Sequence, residues 1–425
     1  MTTPLLLFFR FILFILFLLV IDWYVFRGFK TALSSMQNDR LKLFIFYGFW
    51  TINIAFIALV VFGILNFSRN TEPSGRLFFL VGSFFILLTV PKLIITLFLL
   101  TEDVVRIFRA AVLWTMNTFI YRSVENKGIW MARREFISQL SIVIAAIPFV
   151  GIIHGILKGR YKYTVHKVTL TFKDLPDAFH GFKITQLSDI HAGSFDNYEA
   201  VKKGGELANA QKSDMVVFTG DLVNNFAHEI KPWIDLFKTL DAPFGKYSIT
   251  GNHDYADYVE WKTLDEKRAN FNALLSAHAE MGFKILLNEN ISVTKNGQSI
   301  RLIGIENWGA GGFAKYGDFE KSLEGVIPAE FKILLSHDPS HWENQVLNHK
   351  QHIHLALAGH THGMQFGIEI PGIKWSPVKY RYPRWAGLYE EKSKYLYVNR
   401  GFGFIGFPGR VGIWPEVTVI ELQKG

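Results

Sequence analysis

Four long apolar runs, at about 4–26, 43–66, 77–100 and 136–157, set the first limit on this chain. Hydrocarbon offers no partner to a backbone N–H or C=O, so a run of that length closes its own hydrogen bonds as a helix. About 20 helical residues cross a bilayer core about 30 Å thick, and each run suffices. The first run reads as a span rather than a cleaved leader, being long, without a small-residue cleavage site and followed by further spans. Segment 103–121 mixes charged and apolar residues and is expected at the surface or in the interface. The chain thus divides into a transmembrane region, 1–157, and a second region, 160–425.

Charge follows the same division. Residues 1–160 carry 16 Lys+Arg against 7 Asp+Glu, while residues 161–425 carry 29 against 30. The basic balance belongs to the membrane region, so no nucleic-acid partner is expected. Arg27, Lys30, Arg40 and Lys42 fill the first loop, and Arg106, Arg109, Arg122, Lys127, Arg133 and Arg134 the third; the second holds only Arg69 and Arg76. The positive-inside rule puts loops one and three in the cytoplasm and residues 160–425 on the outer face, as in a bacterial inner-membrane protein. Ala132-Arg133-Arg134-Glu135-Phe136-Ile137 resembles a twin-arginine export signal, with ordinary inside-facing arginines as the alternative. Lys92, beside Pro91 in the third span, is expected to snorkel or pair with a neighbouring span, and Asn53 to tie helices together. The 425 residues include no cysteine, which excludes disulfides, thiolate metal sites and cysteine nucleophiles.

Beyond residue 160 the pattern changes to short apolar runs separated by glycine and polar residues. Val168, Leu170 and Phe172 alternate as in a strand. Further strands are expected at 182–187, 214–219, 246–250, 299–305, 331–335, 353–358, 394–398 and 416–422, with helices over about 197–211 and 227–240. Strand–helix alternation early and strand-rich sequence late predict an α/β domain of two packed sheets. Strands there end in Asp189-Ile-His191, Gly220-Asp221, Gly251-Asn252-His253-Asp254, Ser336-His337 and Gly359-His360-Thr-His362. One such motif is commonplace; the ordered set, each member at a strand's carboxyl end, is where α/β sheets gather ligands. Carboxylate, imidazole and amide ligands without sulfur suit Mn, Fe or Zn in a hydrolytic two-metal centre. Asp-x-His and His-x-His put alternate side chains on one side of an extended segment.

In this order the motifs resemble the calcineurin-like metallophosphoesterases, and most closely their membrane-anchored bacterial phosphodiesterases. The likeness covers about 180–422, including Tyr397-Val-Asn-Arg-Gly401 and Trp414-Pro-Glu416. Asn224 stands where the family usually has a second Asp, and Met364 where Gly-Gly-Gln commonly follows the paired histidines. The resemblance implies an α/β/β/α two-sheet sandwich and two divalent ions. Asp189, His191 and His362 would bind one ion, Asn252, His337 and His360 the other, and Asp221 both. His253 would protonate the leaving oxygen, with Asp254 orienting it by a hydrogen bond. The implied reaction is in-line attack on phosphorus by a hydroxide held between the metals.

The basic and aromatic stretch from Lys374 to Arg384-Trp385, and the loop from Phe402 to Phe407, suit a lipid headgroup interface. No Gly/Ser- or Pro-rich linker separates the last span from the first strand. A phosphodiester or pyrophosphate of a lipid or lipid-linked molecule is therefore the expected substrate. Small soluble phosphoesters, a metal-binding scaffold without catalysis and a transport component are the alternatives.

Overall fold

A computed structural model describes residues 4–67, 75–119 and 127–425; Arg69 and Arg122 lie outside the described residues. It separates into two compact units, residues 1–153 and 154–425.

The regular elements of the first unit are all helices among its described residues: α1 (Pro4–Ala32), α2 (Asp39–Phe67), α3 (Gly75–Phe119) and the greater part of α4 (Lys127–Leu157), with a turn over 33–38 between the first two. All four contain a stretch long and apolar enough to cross a membrane. Most of their apolar side chains point outward, as with Phe44, Phe108 and Ile147, while Ile21, Val25, Ile95, Leu99 and Ala145 form an internal seam. Segment 103–119 continues the third helix: α3 runs through Pro91 without a break to Phe119. Asp103 is satisfied in place, accepting from Tyr24 Oη at 2.7 Å and pairing with Arg106 one turn on, so the charges do not end the helix.

The second unit is built on two six-stranded sheets. The first has the order β1 (Thr164–Phe172), β14 (Glu416–Lys424), β2 (Phe182–Leu187), β3 (Met215–Thr219), β4 (Lys246–Ile249) and β5 (Phe283–Ile285). The second has the order β12 (Gly387–Glu391), β13 (Lys394–Val398), β9 (Leu355–Ala358), β8 (Lys332–Leu335), β7 (Gln298–Gly304) and β6 (Glu289–Lys295). Central strands are parallel: β2, β3, β4 in one sheet and β7, β8, β9 in the other.

Strand periodicity distributes the side chains among layers. In β3, Met215 and Val217 enter the core between the sheets, while Val216 and Phe218 face the helical layer of α5 (Tyr198–Asn209), α6 (Ile234–Lys238) and α7 (Leu264–Glu280). On the far side Ile303, Leu334, Ala356 and Val398 pack against Phe319 of α8 (Phe319–Ser322), with Trp342 and Val346. Burial on both faces explains why β3, β8 and β9 read as nearly continuous apolar runs. The layers are α/β/β/α, and the carboxyl ends of β2, β3 and β4 meet those of β8 and β9.

A small hairpin, β10 (Ile368–Ile370) with β11 (Ile373–Trp375), stands outside both sheets. The loop from Phe402 to Phe407 is not an interfacial surface. Phe402 and Phe404 are fully buried and Phe407 nearly so, with Phe402 in the helical-side core beside Tyr163 and Phe237. Trp385 is likewise buried, against Ile413.

Candidate metal centre

All seven residues expected as ligands converge where the two sheets' strand ends meet. Asp189 and His191 follow β2, Asp221 follows β3, Asn252 follows β4, His337 follows β8, and His360 and His362 follow β9. Asp189, His191 and His362 bring ligand atoms within 4.8 Å of one another, and Asp221, His337 and His360 do the same.

The backbone is bent to achieve this. Asp189, His191, Asp221, His360 and His362 all have positive φ, between 48° and 73°. Each such non-glycine residue carries strain of about 1–3 kcal/mol, held in place by the surrounding bonds. Those bonds are visible. Both carboxylate oxygens of Asp189 accept from the backbone N–H of His360, at 2.9 and 3.0 Å. Asp221 Oδ1 accepts from His253 N at 2.8 Å. Two glycines are required by close approach: a Cβ on Gly359 would meet Ser188 Oγ at 1.9 Å and Asp189 Oδ2 at 2.2 Å, and one on Gly220, at φ +93°, would meet Gly251 N at 2.5 Å.

Asp254 holds a different place from the one expected. Its carboxylate accepts from the N–H groups of Gly251, Asp221 and Leu222 at 2.8–2.9 Å and does not bond the His253 ring. It is spent on tying the loops after β3 and β4 together. The His253 ring is oriented instead by the carbonyl of Asn224, 2.8 Å from Nδ1. That carbonyl is itself fixed, because Glu229 accepts from the N–H groups of Asn224, Asn225 and Phe226.

Several groups that sequence reasoning passed over hold the candidate ligands. His337 Nδ1 donates to Thr219 O at 2.7 Å, which leaves Nε2 facing Asp221. Asn252 Nδ2 donates to Tyr258 Oη at 2.9 Å, so its carbonyl oxygen is turned inward, 2.8 Å from His360 Nδ1. His360 Nε2 meets Tyr382 Oη at 2.8 Å and Asp338 Oδ2 at 3.4 Å. Fully buried Arg410 lies with Nη2 3.2 Å from His362 Nδ1, its guanidinium held by the carbonyls of Arg400, Gly401 and Gly403. Of these, only Asp338 had a local signal, directly following His337.

The donor set fits two divalent cations. His191 Nε2 and His362 Nε2 face each other at 3.0 Å, and His362 Nε2 is 3.2 Å from Asp189 Oδ1. Asp221 Oδ2 lies 3.5 Å from His191 Nε2 and 3.1 Å from His337 Nε2, so one oxygen belongs to both groups. Lone pairs packed so closely repel unless a cation sits among them, as ligands about 2.0–2.2 Å from one ion would be. Burial disfavours ionised Asp189 and Asp221, yet the imidazoles of His362 and His337 outweigh it and keep both carboxyls well below the usual range. Burial pushes His191 and His360 down, towards the neutral, ligating form. Burial also opposes a proton on His337, but the Asp221 and Asp189 charges override it and push this imidazole up to about 10. The cluster attracts positive charge.

Comparison with known proteins agrees with this geometry. Residues 182–364 match the family model "Calcineurin-like phosphoesterase", and residues 9–160 match "Probable Calcineurin-like phosphoesterase, transmembrane domain". The chain is 31% identical over 302 residues to the metallophosphoesterase YkuE of Bacillus subtilis, across 69% of this chain and 98% of that protein. It is 29% identical over 282 residues to a bovine transmembrane protein with metallophosphoesterase domain, covering 63% of this chain and 59% of that one. Among solved structures, the phosphopantetheinyl hydrolase of Mycobacterium tuberculosis aligns over 51% of this chain and 88% of its own, at 11% identity and a TM-score of 0.31. The chain belongs to the calcineurin-like metallophosphoesterases, carrying that family's four-helix transmembrane domain ahead of its catalytic domain.

Proposed function

We propose that this protein hydrolyses a phosphodiester or pyrophosphate bond of a lipid or lipid-linked molecule, on the extracytoplasmic face of the membrane that anchors it. In this reading residues 1–157 anchor and 160–425 catalyse. Asp189, His191 and His362 hold one divalent ion, Asn252, His337 and His360 the other, and Asp221 both. The observation that carries it is the Asp221 carboxylate oxygen within 3.5 Å of a histidine from each group. Bound there, a pair of Mn, Fe or Zn ions would supply a water of lowered pKa and neutralise charge on the phosphoryl oxygens.

The protein's own residues do the rest. His253 Nδ1 donates to Asn224 O, so a second proton at Nε2 makes the ring a general acid for the leaving oxygen. Asp254 keeps Asp221 and His253 at a fixed separation by clamping the loops that carry them. Tyr258, its ring 4.7 Å from that of His253, and Phe313, 5.0 Å from that of His360, wall the centre with aromatic surface. Arg133 and Arg134 lie within α4, where a twin-arginine export role is compatible with the proposed orientation.

The test is hydrolysis of bis(p-nitrophenyl) phosphate by detergent-purified protein, stripped of metal and then supplied with Mn²⁺, Fe²⁺ or Zn²⁺. Metal-dependent turnover that disappears in Asp221→Ala is expected. No turnover with any metal, despite bound ions, would overturn the assignment as a phosphodiesterase. Comparing that ester with a phospholipid in mixed micelles decides between the lipid and the soluble substrate.

A further inference from the structure

The β10–β11 hairpin has its polarity reversed. Ile368 pairs with Trp375 and Ile370 with Ile373, so these four side chains share one face. The isoleucines on it are 49%, 55% and 53% exposed. Glu369 and Lys374 occupy the opposite face, and their charged ends bond to the domain although Lys374 as a whole is exposed. Glu369 forms a two-pronged pair with the buried Arg400 at 2.5 and 2.9 Å, and the Lys374 ammonium donates to Ala386 O over the Trp385 ring. A hairpin in water carries its apolar face inward and its charges outward. Here the charges are spent on the domain and the isoleucines are left outside.

The position of the hairpin indicates what meets that face. Its base is bonded to the segment at 410–411: Gly367 N donates to Val411 O and Val411 N to Gln365 O. Arg410 N in turn donates to Gly155 O at 3.2 Å, and a Cβ on Gly155 would meet Arg410 O at 2.7 Å. Gly155 lies in the last turn of α4, inside the stretch of that helix apolar enough to cross a membrane. From Gly367 to the Pro371-Gly372 tip, the hairpin extends roughly 13 Å at about 3.3 Å per residue. A headgroup layer is about 5–7 Å thick on each side of the core, so a hairpin rooted at Gly155 has a bilayer within reach. The next residues in the chain include Lys379 and Arg381, whose charges lie over Tyr380 and Tyr382.

We infer that the apolar face of Ile368, Ile370 and Ile373 is a membrane-docking surface that dips into the lipid interface. Met364, 59% exposed and two residues past the ligand His362, lies between this surface and the centre in sequence. Docking would hold the metal centre beside the headgroups, whichever bond is broken there.

The chain has no cysteine, so single cysteines report cleanly. Ile370→Cys and Ile373→Cys in the full chain, labelled with an environment-sensitive fluorophore, would be reconstituted into vesicles of zwitterionic and anionic phospholipid containing brominated acyl chains. Glu324→Cys, at an exposed position on α8's side of the domain, is the control. Strong quenching at residues 370 and 373 with little at 324 is the expected result. Quenching no stronger than at 324 overturns the inference. So does thiol cross-linking of the Ile370→Cys variant to a second copy without lipid quenching, which would make the face a subunit contact. Neither readout needs hydrolysis, so failure here is distinct from failure of the catalytic assignment.

Discussion

Both regions of this protein bury a polar cluster, and the two clusters are built on opposite terms. In the membrane unit the Lys92 ammonium of α3 lies 2.6 Å from Asp22 of α1 and also bonds the Asn53 side chain of α2. One positive charge meets one negative charge and a neutral amide, so the cluster is complete and ties three helices together. In the catalytic unit two carboxylates stand among four imidazoles and an amide oxygen, on strained backbone, with their lone pairs facing one another. That cluster is complete only with cations. Ionisable residues in a protein interior mark function when their compensation is missing from the chain, and structure when it is present.

The largest expected effect separates chemistry from construction. His253→Gln should lower kcat by about 10²–10⁴, because it removes the proposed general acid. Metal content measured by mass spectrometry should stay at the wild-type level, since His253 is outside both ligand groups. A loss of metal in this variant would break the division between holding and reacting groups.

The membrane cluster should behave as a closed pair. Lys92→Leu alone leaves Asp22 charged and unpaired, and thermal unfolding in detergent should show a loss of about 3–5 kcal/mol. Adding Asp22→Leu should recover most of it, while hydrolysis of a soluble ester persists throughout. A double variant no more stable than the single one would mean that the pair does more than join helices.

Smaller effects come from residues that act through a ligand. Asp338→Asn and Tyr382→Phe each loosen His360 and should weaken metal affinity by about 10–100-fold. A titration of stripped protein with Zn²⁺ reads this directly, and unchanged affinity would remove both residues from the site's support.

A further effect is a pH dependence of the catalytic unit. His278 is fully buried with Nδ1 3.0 Å from Ser248 Oγ, and burial pushes its imidazole down to about 3. Its folded pKa lies below the unfolded value of about 6.5, so its contribution is complete above that pH and is lost as pH falls towards 3, by up to about 1.4 kcal/mol per unit. Protection factors over β4 and α7, which correct exchange rates for their intrinsic pH dependence, should fall between pH 6 and pH 4 by an amount that shrinks in His278→Gln. An identical fall in the variant would assign the acid sensitivity elsewhere.

The sequence was legible where one physical signal dominated. The run from Phe182 to Leu187 is a strand to the residue: Phe182 and Ile184 alternate with polar residues, and a polar, turn-forming segment ends it. The candidate ligands stood out because each follows the carboxyl end of an expected strand. The Phe402–Phe407 loop and Trp385 were misleading, because aromatic content does not say which way a ring points. The exposed apolar surface lies instead on three-residue strands too short to show a period. The helix α7 was missed for its narrow apolar face, of which only Leu274, Ala277 and His278 are buried, although Thr263 followed by Glu266 is a capping signal, and Thr263 does accept from Glu266 N. Tyr258, Tyr382 and Arg410 are ordinary residues in sequence and become support for the site only through long-range packing.

The most direct test of the central claim is a count of ions. Metal-stripped wild-type protein, reloaded with Mn²⁺ or Zn²⁺ and dialysed, should retain about two ions per chain, and Asp221→Ala should fail to hold the pair because the shared oxygen is gone. Wild-type protein that retains no ion, or an Asp221→Ala variant that keeps both with unchanged affinity, would contradict the account.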